Sequence, residues 1–98
     1  MIGYRLISPA REEAAEAAEF YDSSEPGLGL EFFEQLDSLI QRLRDFPLSG
    51  TPVSTRLRAS HLKKFPYSVI YYLDEEVLVV IAVAHQSRRP GYWRSRIS

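Results

Sequence analysis

The segment from Val77 to Trp93 reads VLVVIAVAHQSRRPGYW, and the rest of the chain can be placed around it. Its first part, Val77 to Ala84, is entirely apolar and rich in Val and Ile. A short apolar run of this kind is typical of a strand buried on both faces, so we expect it in the middle of a sheet. Pro90 and Gly91 should end that strand. The polar loop after a rigid strand often carries functional residues.

Composition predicts a single domain, residues 1–98, in the cytoplasm. A chain of 98 residues can bury one core without covalent staples. It contains no cysteine, which excludes disulfides and thiolate zinc sites. With only His61 and His85 as imidazole donors, we expect no metal site, and no cofactor motif is present. We find neither an export leader nor an apolar run long enough to cross a membrane.

Charge is distributed unevenly along the chain. The formal net charge is −1, yet residues 1–49 carry four basic and ten acidic side chains, whereas residues 50–98 carry eight basic and three acidic ones. The three acids of the second half are contiguous at Asp74–Glu76, in a predicted turn. The second half should therefore present a basic surface that is almost free of opposing charge. Ordinary solvent-facing Lys and Arg on strands would give the same pattern.

The first half of the chain begins with a short strand, Gly3–Ile7. Ser8 then suits the cap of a helix and Pro9 its first position. One face of this helix is small and apolar, which allows another element to approach closely. The other face is acidic and is predicted to face solvent. The apolar face contains Ala10, Ala14, Ala17, Ala18 and Tyr21, and the acidic face contains Glu12, Glu13, Glu16 and Glu19.

A second helix is predicted from about Gly29 to Phe46. Ser24–Gly27 breaks the first helix, and a link this short makes the two helices an antiparallel hairpin. Apolar residues recur in the second helix at spacings of three and four, which gives it a wide apolar stripe. The stripe contains Phe32, Phe33, Leu36, Leu39, Ile40, Leu43 and Phe46.

The second half predicts strands at Thr55–Phe65 and Tyr67–Leu73 before the buried one. In the first of these, Arg58 is expected on the solvent side. Leu62 falls on the same side as Arg58, so we predict a bulge near Ser60–His61. The acidic turn then makes a hairpin with the buried strand.

The predicted fold class is therefore α+β with two layers, in the order β-α-α-β-β-β. An N-terminal helical hairpin packs on one face of a mainly antiparallel four-stranded sheet. The opposite face should be partly open and within reach of several basic side chains. These are Arg56, Arg58, Lys63, Lys64 and those of the loop after the last strand.

Four arginines lie close together at the end of the chain. Arginine offers a fixed fork for phosphate, and aromatic rings between the arginines offer stacking faces, so the combination suits nucleic acid. The alternative is a solvated tail in which Trp93 folds back as an anchor on the core. The segment contains Arg88, Arg89, Tyr92, Trp93, Arg94 and Arg96.

An enzymatic function would have few residues available. His85 at the strand end is a candidate proton shuttle, although a hydrogen-bonded structural histidine is the simpler interpretation. Lys63 and Lys64 either contact phosphate or are merely solvated. The chemistry that fits is RNA cleavage by the substrate's own 2′-hydroxyl, for which His85, Tyr92, Arg88 and Arg89 would supply proton transfer and positive charge.

With these stretches in view, the chain resembles toxins of the RelE/ParE superfamily from bacterial type II toxin–antitoxin systems. The resemblance covers nearly the whole length and depends on the order and spacing of short pieces. The pieces are Ala14–Tyr21, Pro26–Gly29, Phe46-Pro47 with Gly50, Phe65–Tyr67, Ile70–Tyr72, Val83–His85, Arg88–Pro90 and Tyr92-Trp93.

The resemblance implies a cytoplasmic toxin, without cofactor, that is held inactive in a heteromeric complex with a cognate antitoxin. RelE-like members cleave mRNA on the ribosome, and ParE-like members block DNA gyrase. The sequence pI of about 6.1 is low for a dedicated nucleic-acid binder, and the ending with Pro90, Tyr92 and Trp93 looks more ParE-like. We therefore favour inhibition of gyrase over mRNA cleavage. An attenuated homologue that only binds an antitoxin is a third alternative.

Site residues follow from these alternatives. If the protein is RelE-like, the catalytic residues are His85, Arg88 and Tyr92. Contact with an antitoxin is expected at Ala14, Ala18 and Tyr21. Contact with the target is expected at Arg58, Lys63, Lys64, Arg88, Arg89, Trp93, Arg94 and Arg96.

Overall fold

The structure, a computed structural model, describes residues 1–97 and confirms the predicted two-layer α+β architecture. A hairpin of two helices packs on one face of a mainly antiparallel sheet. The elements are β1 (Gly3–Leu6), α1 (Ser8–Ser24), α2 (Leu28–Asp45), β2 (Thr51–Pro52), β3 (Arg58–His61), β4 (Tyr67–Asp74), β5 (Val77–His85) and a 3₁₀ turn (Arg94–Arg96).

The sheet has five strands rather than the predicted four, in the order β1-β5-β4-β3-β2. The additional strand, β2, consists of two residues paired with β3. Two residues that follow a glycine, one of them a proline, show no alternating pattern, so sequence reasoning could not identify this strand. The apolar run forms β5, an inner strand between β1 and β4, as predicted.

The end of β1 leaves part of β5 for other partners. β1 runs parallel to β5, and their register ends at Leu6 and Val80. The backbone N–H of Ile7 then donates to the carbonyl oxygen of Val80, and the chain turns into α1. Ile81 and the residues after it in β5 therefore extend past β1 at this edge.

The bulge lies in β5 rather than near Ser60–His61. Tyr71 pairs with Val80 and Ile70 with Ala82, so Ile81 is an extra residue in its strand. The prediction of a bulge in β3 was wrong because it assumed that Arg58 faces solvent. Arg58 stands opposite Tyr71, whose ring lies in the core beneath the helices, and directly opposed residues share a face.

The ends of the helices differ slightly from the prediction. Ile7, not Ser8, occupies the cap of α1 without a side-chain hydrogen bond, and Ser8 is already helical. Gly27 precedes α2 with φ of 93°, a left-handed conformation that favours glycine. Asp22 accepts from the backbone N–H groups of Gly27 and Gly29, at 2.9 and 3.2 Å, which joins the two helices at their link.

The main core lies between the helices and the sheet. Close approach of the helices depends on small residues, because a Cβ on Gly29 would lie 2.5 Å from the carbonyl oxygen of Ala18. Most of the predicted stripe of α2 is buried, but Phe33 and Phe46 are exposed, at 44% and 63%. The buried residues of α1 and α2 in this core are Ala10, Ala14, Ala17, Ala18, Phe32, Leu36, Leu39, Ile40 and Leu43.

Candidate functional site: the C-terminal arm

Residues 86–97, here called the C-terminal arm, return across the sheet face opposite the helices. Tyr92, Trp93 and Ile97 pack against a second apolar cluster on that face. The arm thus covers part of the face that was expected to be partly open. Trp93 serves as an anchor, and its indole N–H is buried without a hydrogen-bond partner in the described part of the chain, residues 1–97. The cluster beneath contains Leu57, Ala59, Ile70, Val79, Ile81, Ala82 and Ala84.

Glu13 of α1 holds the arm through one carboxylate. Arg96 forms a two-point contact with it, from Nη1 to Oε1 at 2.8 Å and from Nη2 to Oε2 at 3.0 Å. The hydroxyl of Tyr92 donates to Oε2, and the backbone N–H of Val83 donates to Oε1 at 3.0 Å. The side chain of Glu13 is only 11% exposed. The prediction that Glu13 belongs to the solvent face of α1 was therefore wrong.

The contacts of Glu13 lie at the edge of β5 beyond the end of β1. There Glu13 satisfies the N–H of Val83, and Nη1 of Arg96 donates to the carbonyl oxygen of Ile81 at 2.9 Å. Buried backbone groups need such partners where a ladder ends. Glu13 and Arg96 thus complete the edge of the central strand and join three elements, α1, β5 and the arm.

Tyr92 lies between charged groups. The guanidinium carbons of Arg88 and Arg96 are 3.8 and 5.1 Å from the centre of its ring. Burial, followed by the hydrogen bond to Glu13, raises the pKa of Tyr92 well above its ordinary value of 10.0. The hydrogen bond to Glu13 in turn raises the pKa of Arg96. The phenol of Tyr92 therefore holds its proton firmly, and that proton is directed at Glu13.

The four arginines of the arm differ in how far they are tied to the domain. Arg96 is tied to Glu13, with 19% of its side chain exposed. Arg88 lies 3.6 Å from Glu13 but remains 53% exposed. Arg89 and Arg94 are exposed and form no ion pair with any residue from Met1 to Ile97. The arm therefore offers Arg89 and Arg94, and in part Arg88, to a partner.

His85 makes local contacts. Its Nδ1 accepts from the backbone N–H of Ser87 at 3.0 Å and lies 2.7 Å from the Ser87 hydroxyl, and its ring stands edge-on to Tyr67. Its carbonyl oxygen accepts from the N–H of Arg88. These contacts agree with the simpler interpretation of a hydrogen-bonded histidine that helps to turn the chain into the arm.

The other predicted target residues lie beside the helices. Nη1 of Arg58 donates to the carbonyl oxygens of Leu48 and Gly50, in the loop after α2. Lys63 and Lys64 are exposed in the loop between β3 and β4, and Nζ of Lys64 is 2.9 Å from Glu31 of α2. In residues 1–97 no hydrogen bond or ion pair connects these three basic residues with the arm.

Comparison with known proteins identifies the family. The sequence profile of the family described as "ParE toxin of type II toxin-antitoxin system, parDE" matches residues 4–90. The chain belongs to the ParE toxin family. It is thus a toxin of a type II toxin–antitoxin system and a member of the RelE/ParE superfamily. A comparison with proteins of curated function gives no significant sequence match.

The fold of this ParE toxin is similar to that of a solved structure described as "Chromosomal ParDE TA system from P. aeruginosa". The TM-score is 0.76, and the match covers 87% of this chain and 96% of the other. Sequence identity is only 12%, so this likeness supports the fold. No helix in the described part of the toxin has the length and apolarity to cross a membrane.

The residues predicted to contact an antitoxin lie largely inside the helical layer. Ala14 and Ala18 are 4% and 5% exposed and pack in the toxin's own core, so they leave almost no surface for direct contact. Tyr21 is half-buried and its ring stacks with Phe32 and meets Phe65 edge-on. These three residues therefore shape the helical layer from inside, because the alanines permit its close packing.

Sequence reasoning missed Glu13, the residue that organises the site. A weak signal was present, because Glu13 lies three residues after Ala10 and four before Ala17 and thus borders the apolar face of α1. Its partners could not be found from sequence, since Arg96 lies 83 positions away. A periodic pattern within α1 therefore gives no information about contacts with the arm.

Proposed function

We propose that this ParE toxin inhibits DNA gyrase through its C-terminal arm, without catalysing a reaction itself. A cognate antitoxin holds it inactive in a heteromeric complex in the cytoplasm. The observation that carries the choice of target is the engagement of Tyr92 with Glu13, combined with the exposure of Arg89 and Arg94. Fold alone would not decide the target, because related folds support different functions.

The state of Tyr92 argues against a RelE-like endonuclease. A general acid or base needs a pKa near the working pH and access to the reacting atom. The pKa of Tyr92 is raised, and its hydroxyl donates to Glu13. His85 uses Nδ1 to accept from Ser87. In this arrangement the predicted catalytic residues His85, Arg88 and Tyr92 stabilise the arm.

The placement of the basic residues also favours a protein target over an mRNA path. Binding of a strand along the sheet would be served by cations grouped on one surface. Here Lys63 and Lys64 flank α2, whereas Arg89 and Arg94 belong to the arm on the opposite face. Arg58 is tied to the loop after α2. Two exposed arginines beside partly buried aromatic rings suit the rim of a protein interface.

The antitoxin is proposed to cover the helical side. An apolar groove of about 330 Å³ lies between β1, α1 and α2. Its lining includes exposed Phe33 and Tyr4, with Ala15 of α1 and Leu6 of β1. Exposed apolar surface bordered by charges is typical of a protein-binding site. A disordered antitoxin segment could fold along this groove. The bulk of the bound antitoxin would then hinder access of the target to the arm.

Induced expression without antitoxin tests the proposed target. We expect growth arrest with DNA-damage signalling, while primer extension shows intact messages in translated regions. Co-expression of the neighbouring antitoxin gene should restore growth and silence the damage signal. Cleavage within codons and no damage signal would contradict the proposal and favour the ribosome and mRNA as target. Normal growth at high toxin levels would identify an attenuated protein.

A further inference from the structure

We propose that Glu13 is the positioning residue of the toxin, which fixes the C-terminal arm so that Arg89 and Arg94 face the target together. This inference rests on the proposed use of the arm in target binding and adds the residue that controls it. Glu13 itself lies on α1, outside the arm, and is not required to touch the target.

The first argument is the concentration of donors on one carboxylate. Glu13 accepts from Tyr92, Arg96 and the backbone of Val83, and Arg88 lies 3.6 Å away. Hydrogen bonds to a charged group at low exposure are stronger than ordinary ones. Removing the carboxylate would leave several donors at the β5 edge unpaired at once. Each loss falls on the arm or on the strand beneath it.

The second argument is the weakness of the arm's other attachments. Tyr92, Trp93 and Ile97 are half-buried on the second cluster rather than enclosed in it. The buried indole N–H of Trp93 has no partner among residues 1–97, which opposes this packing. Apolar contact alone therefore holds the arm loosely, and the bonds to Glu13 decide its position.

The third argument is that the free arginines belong to a turn that is itself anchored to Glu13. The backbone N–H of Tyr92 donates to the carbonyl oxygen of Arg89, and the backbone N–H of Arg94 donates to the carbonyl oxygen of Gly91. Both arginines therefore belong to one tight turn. Gly91 has φ of 81°, and a Cβ there would lie 2.6 Å from Nε of Arg94. Tyr92, within the turn, and Arg96, two residues after Arg94, fasten the turn to Glu13. The backbone of the turn sets the spacing of Arg89 and Arg94, and Glu13 sets the position of the whole turn.

The experiment compares Glu13→Gln with Glu16→Gln, a matched change at an exposed glutamate one turn later on α1. Arm order is measured first, by emission of the single tryptophan, Trp93, and by hydrogen exchange of residues 86–97. Growth-inhibitory potency and antitoxin affinity are then measured for each variant. Glu13→Gln should expose Trp93, speed exchange in the arm and at Val83, and lower potency about tenfold or more, since several charged hydrogen bonds are lost.

Antitoxin affinity should stay within about twofold for both variants, which shows that the helical side remains folded. Glu16→Gln should behave as the unchanged toxin in every measurement. A purely structural role of Glu13 would lower antitoxin affinity in parallel with potency, and this would overturn the proposal. An unchanged arm in Glu13→Gln would overturn it as well.

Two further variants, Arg96→Gln and the double variant, keep the test decisive if Glu13→Gln alone fails to fold. Arg96→Gln removes the partner and keeps Glu13, and the double variant with Glu13→Gln should lose little more potency than either single change. Fully additive losses would contradict a shared contact. Growth arrest does not presuppose gyrase, so failure of gyrase inhibition by the unchanged toxin would reject the proposed target while the role of Glu13 is still decided.

Discussion

The two faces of the sheet are stabilised in different ways. The face beneath the helices buries large side chains completely, among them Phe32, Leu43 and Tyr71, all 0% exposed. The face beneath the arm also buries Val79 and Ile81 completely, but its cover consists of half-buried side chains, with Tyr92, Trp93 and Ile97 of the arm among them, and of the polar contacts of Glu13. Broad apolar burial gives global stability, whereas a segment held by a few bonds can open locally. The comparison teaches that the rigid layer carries the fold, whereas the lightly held layer carries the surface proposed for target binding.

The largest effect is expected from truncating a buried side chain in the core between the helices and the sheet. Phe32 packs edge-on against Phe65 and Tyr67, with ring centres 5.1 and 5.2 Å away. Phe32→Ala should lower the free energy of unfolding by about 3–5 kcal/mol, because it leaves a cavity in a closed core. Unfolding of the variant and of the unchanged toxin in denaturant measures this difference in free energy.

The neighbouring Phe33, which is 44% exposed, provides the control. Phe33→Ala should cost less than about 1 kcal/mol. Equal losses at the two positions would contradict the assignment of the faces of α2.

A moderate effect is expected where the two helices meet. Gly29→Ala places a methyl group 2.5 Å from the carbonyl oxygen of Ala18. We expect a loss of about 1–3 kcal/mol, since the helices must move apart. Gly3→Ala, where the nearest atom would be 3.9 Å away, should stay within about 0.5 kcal/mol. Thermal unfolding of both variants gives the comparison, and a stabilised Gly29→Ala would show that the helices do not pack this closely.

A smaller and pH-dependent effect is expected on the arm. The pKa of Tyr92 is raised in the folded state, so its contribution is fully present below its ordinary value of 10.0 and is lost as pH rises above that value. Tyr92→Phe should therefore cost about 1 kcal/mol at neutral pH, and its difference from the unchanged toxin should shrink above about pH 10. Unfolding free energies measured at several pH values test this. A difference that stays constant through the alkaline range would contradict burial of the phenol against Glu13.

Much of the rigid layer could be predicted from sequence, because its signals are local. The apolar run of β5 and the stripe of α2 each lie within one element, and periodicity reveals them. The errors came from assuming that charged residues face solvent. Arg58 is tied to backbone carbonyls beside the helices, and Glu13 is nearly buried.

The candidate site was predictable only in its composition. The cluster of arginines and aromatic residues marked the arm as a separate feature, and an anchoring Trp93 was one of the two interpretations that the sequence left open. Which arginines remain free depends on contacts between α1 and the arm, far apart in sequence. Tertiary contacts of this kind leave no periodic pattern, so no inspection of the arm alone could separate Arg96 from Arg94.

Inhibition of purified gyrase by charge-reversed toxins tests the account most directly. Arg89→Glu with Arg94→Glu reverses the free charges of the arm, and Lys63→Glu with Lys64→Glu makes the same change beside α2. We predict that the arm variant loses inhibition of DNA supercoiling by about tenfold or more, while the lysine variant stays within about twofold of the unchanged toxin. Equal potency of the unchanged toxin and the arm variant, or no inhibition of gyrase by any of the three, would contradict it.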